Sequence, residues 1–133
     1  MSSTITRTDQ DNSTLRTAAY GAVALMAAAG APHKGITHGS NALTSATGLV
    51  GHVLSAKSKD IHLPGKSVAE LADTVLPSLT AAMHLLGEQY PGEADNFRDT
   101  VLIAIESAVA PRKGEPSPAV AAMARKITAA LDA

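Results

Sequence analysis

The chain has 133 residues, with 11 basic and 12 acidic side chains, 26 alanines, three aromatic residues and no cysteine. This length fits one domain with a single core, and the near-zero net charge gives no general electrostatic case for binding nucleic acid or an anionic membrane. The absence of cysteine excludes a disulfide framework, a thiolate nucleophile and zinc sites with sulfur ligands, and so many alanines predict helices packed closely across small side chains.

The N-terminal residues 1–14 are rich in Ser, Thr, Asp, Asn and Gln, and their only large apolar side chains are Met1 and Ile5. Burial of so little apolar surface does not offset the conformational entropy lost on ordering. We therefore predict a flexible tail over residues 1–14, followed by a helical domain over residues 15–133.

Residues 16–31 have two interpretations. Arg16 precedes a weakly apolar stretch that ends in a small-x-small pattern at residues 29–31, as at a secretory cleavage site. Asp9 and Asp11 stand where such signal peptides are usually basic, and the stretch is mainly Ala. We predict that residues 16–31 belong to a helix and that the protein is cytoplasmic. The alternative is that these residues act as a signal peptide and the protein is exported. No run reaches the roughly 20 apolar residues of a bilayer span, so no membrane partner is predicted.

Apolar residues recur at helical spacing in five segments, which Gly, Pro or polar clusters separate. The first helix is predicted over about residues 13–29 and ends at Gly30. The second is predicted over about residues 34–57. Residues 58–66 contain charged residues, Pro and Gly, and are predicted to form a loop.

The third helix has a local start signal. Ser67 is followed three residues later by Glu70, which is the arrangement of a capping box. Pro77 lies near the middle of this helix and is expected to kink or break it, because proline cannot donate a backbone hydrogen bond.

The fourth helix follows the Tyr-Pro-Gly sequence at residues 90–92. Between residues 101 and 110 only Glu106 is charged, so this helix is expected to be central and the most buried. Ser117 followed by Pro118 predicts the start of the fifth helix. The predicted fold class is therefore all-α, a single-domain bundle of about five helices with an alanine-rich core.

The second predicted helix carries a stripe of small side chains beside its apolar face. Each glycine inside a helix costs on the order of 1 kcal/mol relative to alanine, so something is expected to compensate. Either another helix crosses here with its backbone close, or the groove receives a ligand or a partner chain. A dimer interface is the functional form we favour. The candidate interface residues are Thr37, Ser40, Thr44, Gly48, Gly51 and Ser55.

The leading functional hypothesis follows from this stripe. It is a helical interaction module that forms a homo-oligomer or binds a partner protein. The hypothesis predicts that Gly48→Leu or Gly51→Leu disrupts assembly while the monomer stays folded.

Five histidines raise the question of a metal or ligand site. His38 and His52 are 14 residues apart, which is about 21 Å along one helix axis, so they cannot share a metal within one predicted helix. None of the spacings matches a recognised metal motif, and no cofactor is predicted. His38, His52 and His84 lie opposite the apolar faces and are expected to be exposed. The candidates for a small ligand or metal are His33, His62, His84 and Glu88.

Catalytic motifs are weak. Residues 64–67, Pro-Gly-Lys-Ser before a helix, resemble the end of a phosphate-binding loop, but Asp60 stands where the first glycine belongs and no apolar strand precedes it. No Gly-x-Ser-x-Gly motif anchors a serine nucleophile. An enzyme whose site assembles from distant residues is therefore the third hypothesis, after the interaction module and the ligand-binding or metal-binding protein.

Overall fold

The computed structural model describes residues 9–31, 33–55, 67–109 and 117–133. These residues form helices without any strand, so the predicted all-α fold class is confirmed. The second predicted segment forms two helices, which gives six in this part of the chain instead of five. The helices are α1 (Asp9–Ala29), α2 (His33–Thr44), α3 (Gly48–Ser55), α4 (Val68–Gln89), α5 (Pro91–Val109) and α6 (Pro118–Asp132).

The first helix begins at Asp9, earlier than the sequence predicts. Residues 9–14 are therefore helical and do not belong to a tail, and residues 1–8 lie outside the described residues. Acidic side chains near a helix N-terminus favour helix formation because they complement the helix dipole, and Asp11 lies in the first turn of α1.

The core forms around α1 and α5, each of which contacts all the other described helices. Cleavage at residues 29–31, as in the signal-peptide alternative, would remove the whole of α1 and its contribution to this core. None of the described helices combines the length and apolarity that crossing a membrane requires. The buried apolar side chains of α1 are Leu15, Ala18, Ala19, Ala22, Val23, Leu25 and Met26.

Helix α5, which corresponds to the fourth predicted helix, is central but not buried on all sides. Phe97 and Val101 are fully buried, whereas Ile103 is 55% exposed. The expectation that this helix is the most buried one is wrong, because α1 has more buried residues than α5. The apolar run that suggested full burial includes a residue that points to solvent.

Helices α2 and α5 run antiparallel and approach closely. A Cβ added at Gly35 would overlap the carbonyl oxygen of Ala108, and one added at Gly39 would lie 2.9 Å from the carbonyl oxygen of Ala104. The two backbones can pack this closely because glycine has no side chain. The close crossing that the sequence indicates for this segment therefore exists within the chain, although at glycines outside the predicted stripe.

The predicted second helix is interrupted at residues 45–47. Gly48 has φ +72°, a left-handed conformation that other residues adopt at a cost. The N–H of Ala46 donates to the carbonyl of Leu43 over 3.3 Å, which tightens the end of α2, and α3 then begins at Gly48. The helix predicted over residues 34–57 is thus two shorter helices.

The later helix starts follow their local signals. Ser67 accepts a hydrogen bond from the N–H of Glu70, and Ser117 accepts one from the N–H of Val120. The predicted caps are therefore confirmed. Helix α4 continues across Pro77 without a break.

Candidate functional site

The N-terminus of α3 is held by side chains of α5. The Glu93 carboxylate accepts a hydrogen bond from the N–H of Val50 over 3.0 Å. The Asn96 amide donates to the carbonyl of Thr47 over 2.9 Å and to Glu93 Oε1 over 3.3 Å. A carboxylate at a helix N-terminus satisfies a free N–H group and interacts favourably with the helix dipole. The junction between α2 and α3 is therefore fixed from α5.

The C-terminus of α3 is held by side chains of α1. The buried Arg16 guanidinium donates to the carbonyl of Val53 over 3.3 Å, and the Tyr20 hydroxyl donates to the carbonyl of Leu54 over 2.6 Å. Burial raises the pKa of Tyr20, and the positive charge of Arg16 offsets part of that increase. An acid at one end of α3 and a base at the other both complement its dipole.

The predicted stripe of small residues does not form one continuous surface, because α2 ends before α3 begins. Thr37 and Thr44 are exposed on α2, and Ser40 is half-buried. Thr44 donates its hydroxyl proton to the carbonyl of Asn41 over 3.1 Å. The side chain of Ser55 lies outside the described part of the chain.

The two glycines of the stripe have roles within the chain. A Cβ added at Gly48 would lie 3.1 Å from both carboxylate oxygens of Glu93. Gly51 is buried, and a Cβ there would overlap the carbonyl oxygen of Ala46. A leucine at either position would therefore disturb the fold of the single chain. These substitutions cannot serve as a clean test of assembly.

The predicted exposure of His38, His52 and His84 is confirmed. Of the ligand candidates, His84 and Glu88 lie one turn apart on α4 and line the same open cleft of about 350 Å³, here called the His84 cleft. His62 and the side chain of His33 lie outside the described residues. Within the described residues, no group of three or more His, Cys, Asp or Glu side chains could hold a metal ion. The lining residues of the His84 cleft are Met83, His84, Gly87, Glu88, Ala94, Leu131 and Ala133.

A second cleft of about 320 Å³, here called the α2–α5 cleft, lies where α2 ends beside α5. Along α2, it follows the close contact that Gly35 and Gly39 make with α5. Its walls combine small apolar side chains with hydroxyl and amide groups, and Ile103 is the largest apolar residue among them. The lining residues are Ala42, Ser45, Ala46, Thr47, Asn96, Thr100 and Ile103.

Ile103 belongs to an exposed face of α5, here called the α5 outer face, with Asp95, Asp99 and Glu106. These residues follow one another at intervals of four, four and three, so they share one side of the helix. Sequence reasoning missed this face because the apolar residues around Ile103 suggested full burial. The helical spacing of the three acidic residues was the signal that could have identified it.

The single basic residue of α5 is engaged elsewhere. Arg98 donates two hydrogen bonds to the Asp132 carboxylate of α6, over 2.7 and 3.2 Å. These bonds lower the pKa of Asp132. The ion pair links α5 to α6. The pKa of Arg98 is raised chiefly by the hydrogen bond to Asp132 and also by the nearby charges of Asp99 and Asp95.

The two clefts offer different chemistry. The His84 cleft has a histidine and a glutamate beside apolar side chains, whereas the α2–α5 cleft is lined by an exposed isoleucine that shares the α5 outer face with three carboxylates. Comparison of the chain with protein-family models, with curated proteins and with solved structures gives no match.

Proposed function

We propose that this chain is a helical interaction module that binds a partner protein through the α2–α5 cleft and Ile103. The observation that carries the proposal is the 55% exposure of Ile103 beside an open cleft. Complete burial of an aliphatic side chain of this size is worth about 1.5–3 kcal/mol. A partner that covers Ile103 gains part of that free energy.

The α2–α5 cleft has the composition of an interface pocket. Ala42 and Ala46 supply small apolar walls, and Thr47, Asn96 and Thr100 supply polar groups. Apolar anchors surrounded by polar groups are typical of protein interfaces, where a few central side chains carry most of the binding energy. The cleft therefore suits one aliphatic side chain of a partner, with Ile103 covered by the neighbouring part of that partner.

The walls of the cleft are held in place before any partner binds. Gly35 and Gly39 allow close packing of α2 on α5, and Asn96 fixes the junction after α2 through the carbonyl of Thr47. Preorganised surfaces lose less conformational entropy on binding. This arrangement supports a binding role for the cleft.

Selection from a library of displayed helical peptides tests the proposal. The immobilised full chain is offered 18-residue peptides with an aliphatic stripe and with Lys and Glu in equal proportion at the polar positions. Selected peptides should lose most of their affinity for an Ile103→Ser variant. Val68→Ser is the matched control, because Val68 is the other large apolar residue exposed on the described helices, at 38%.

Each outcome of the selection decides the proposal. Loss of binding in Ile103→Ser with binding kept in Val68→Ser supports it. Recovery of no peptide, or of peptides that bind all three proteins equally, would overturn it. Circular dichroism of both variants establishes that they are folded.

The His84 cleft supports a second candidate function, binding of a small ligand or a metal ion. The supporting observation is that His84 and Glu88 line the same cleft. Titration with Zn²⁺, followed by the NMR signals of the His84 ring, tests it, with His52 as the exposed control histidine. Saturable changes confined to His84 would support this function, and equal changes at both histidines would contradict it.

A further inference from the structure

We infer that the partner presents a cationic amphipathic helix, with Lys or Arg about one turn before and after an aliphatic side chain. This inference rests on the proposed function, because it names the partner of the same surface. The observation that supports it is the negative charge of the side chains around Ile103. Asp99 lies four residues before Ile103 and Glu106 three residues after it, and all three are exposed.

The spacing of these residues sets the form of the partner. On α5, Asp99 lies about 6 Å before Ile103 along the helix axis and Glu106 about 4.5 Å after it. A helix that packs along α5 reproduces these intervals when its basic side chains lie one turn on either side of its apolar side chain. Such a partner places a cation opposite each carboxylate while it covers Ile103.

Negative charge is concentrated on the two helices α4 and α5. Together they carry seven of the 12 acidic residues and one of the 11 basic residues, a formal charge of −6 in a chain with a net charge of −1. The basic one, Arg98, is already bound to Asp132. Three of these carboxylates, Asp95, Asp99 and Glu106, lie on the α5 outer face. A surface with one sign of charge attracts oppositely charged partners and rejects those of the same sign.

A second copy of this chain fits the α5 outer face poorly. If two copies paired through Ile103 about a two-fold axis, antiparallel α5 helices would place Asp99 of each near Glu106 of the other. Like charges in contact oppose association. On the described helices, Arg125 and Lys126 are exposed on α6, but the large exposed apolar residues are Val68 and Ile103. Neither of these apolar residues lies on α6, so within its described residues that helix has no large exposed apolar side chain of its own beside the two bases.

The net charge of the selected peptides tests this inference, because the library contains Lys and Glu equally. We expect an excess of Lys beside the aliphatic stripe. Asp99→Asn and Glu106→Gln should each weaken binding by about two-fold to five-fold, which is the range for exposed ion pairs. Asp73→Asn is the matched control, because it removes one exposed carboxylate from α4 and should leave the affinity unchanged.

The outcomes separate this inference from the proposed function. Selection of neutral or acidic peptides that do not bind the Ile103→Ser variant would overturn the inference that the partner is cationic. The proposal that the protein is an interaction module would still hold. Lys-rich peptides whose affinity falls equally for the Asp73→Asn and Asp99→Asn variants would also overturn this inference. The attraction would then depend on the total charge of the protein and not on the α5 outer face. Recovery of no Ile103-dependent peptide would overturn both proposals.

Discussion

The backbone N–H of Val50 donates a hydrogen bond to the Glu93 carboxylate over 3.0 Å, so a side chain of α5 caps the N-terminus of α3. At the other end, Tyr20 of α1 donates to the carbonyl of Leu54. A helix of eight residues is marginal by itself in water. The position of α3, and of the cleft wall before it, therefore depends on contacts from α1 and α5.

Replacement of Glu93 should destabilise the protein through α3. Glu93→Ala removes the acceptor for the Val50 N–H, and loss of a helix cap costs about 1–2 kcal/mol. Urea denaturation followed by circular dichroism measures the change in the free energy of unfolding. Glu106→Ala is the control, because it makes the same change at an exposed position of the same helix. An equal effect of the two substitutions would contradict the capping role.

Tyr20 should make stability depend on pH in the alkaline range. Its folded pKa is raised by burial, so the folded state holds the phenol proton more tightly than the unfolded state. The contribution of the Tyr20 phenol to stability is fully present below its pKa in the unfolded state, which is near 10. This contribution is lost as the pH rises through the pKa of Tyr20 in the folded state. Wild-type stability should therefore fall above about pH 10.

The Tyr20→Phe variant isolates this contribution. At pH 7 it should be less stable than wild type by about 1 kcal/mol, because the hydrogen bond to the carbonyl of Leu54 is lost. The difference should shrink as the pH rises above 10, since only the wild type has a Tyr20 phenol to titrate. Urea denaturation at pH 7 and at pH 10.5 measures both values. A difference that stays constant or grows with pH would refute this role.

Two glycines in helices should respond in opposite directions to alanine. Gly35→Ala places a methyl group against the carbonyl of Ala108, and overpacking of this kind typically costs about 1–3 kcal/mol. Gly87→Ala meets nothing within 4 Å on α4, and it should stabilise the protein by about 0.5–1 kcal/mol through helix propensity. Thermal unfolding of both variants measures the two shifts. Equal shifts in the same direction would contradict the close contact of α2 with α5.

Features encoded by neighbouring residues were predictable from the sequence. The capping signals at Ser67 and Ser117 each involve a partner three residues away, so they can be read locally. The exposure of His84 was predictable for a similar reason, because it lies opposite a clear apolar face. The all-α fold class follows from many such local patterns acting together.

Features that depend on distant contacts could not be predicted. The break before Gly48 is stabilised by Glu93 and Asn96, more than 40 positions away in the chain. The periodicity of small residues continues across that break, so the sequence predicts one helical surface for the stripe that contains Gly51. The close contact at Gly35 required knowledge of which helix lies opposite.

The exposed position of Ile103 illustrates a different difficulty. Its neighbours Val101 and Ile105 are buried, and Ile103 lies about 160° from each around the helix axis. Hydropathy alone does not distinguish such a residue from the core. The acidic residues at helical spacing from it identify the exposed side, and they are also part of the proposed binding surface.

NMR mapping of a selected peptide onto the protein tests whether the peptide binds at the α2–α5 cleft. Backbone amide shifts of the ¹⁵N-labelled full chain are compared without and with the peptide. We predict that the largest changes lie at Ala42, Ala46, Thr100 and Ile103, with little change at His84 or Leu131. Changes centred on the His84 cleft, or spread evenly over the helices, would contradict binding at the α2–α5 cleft.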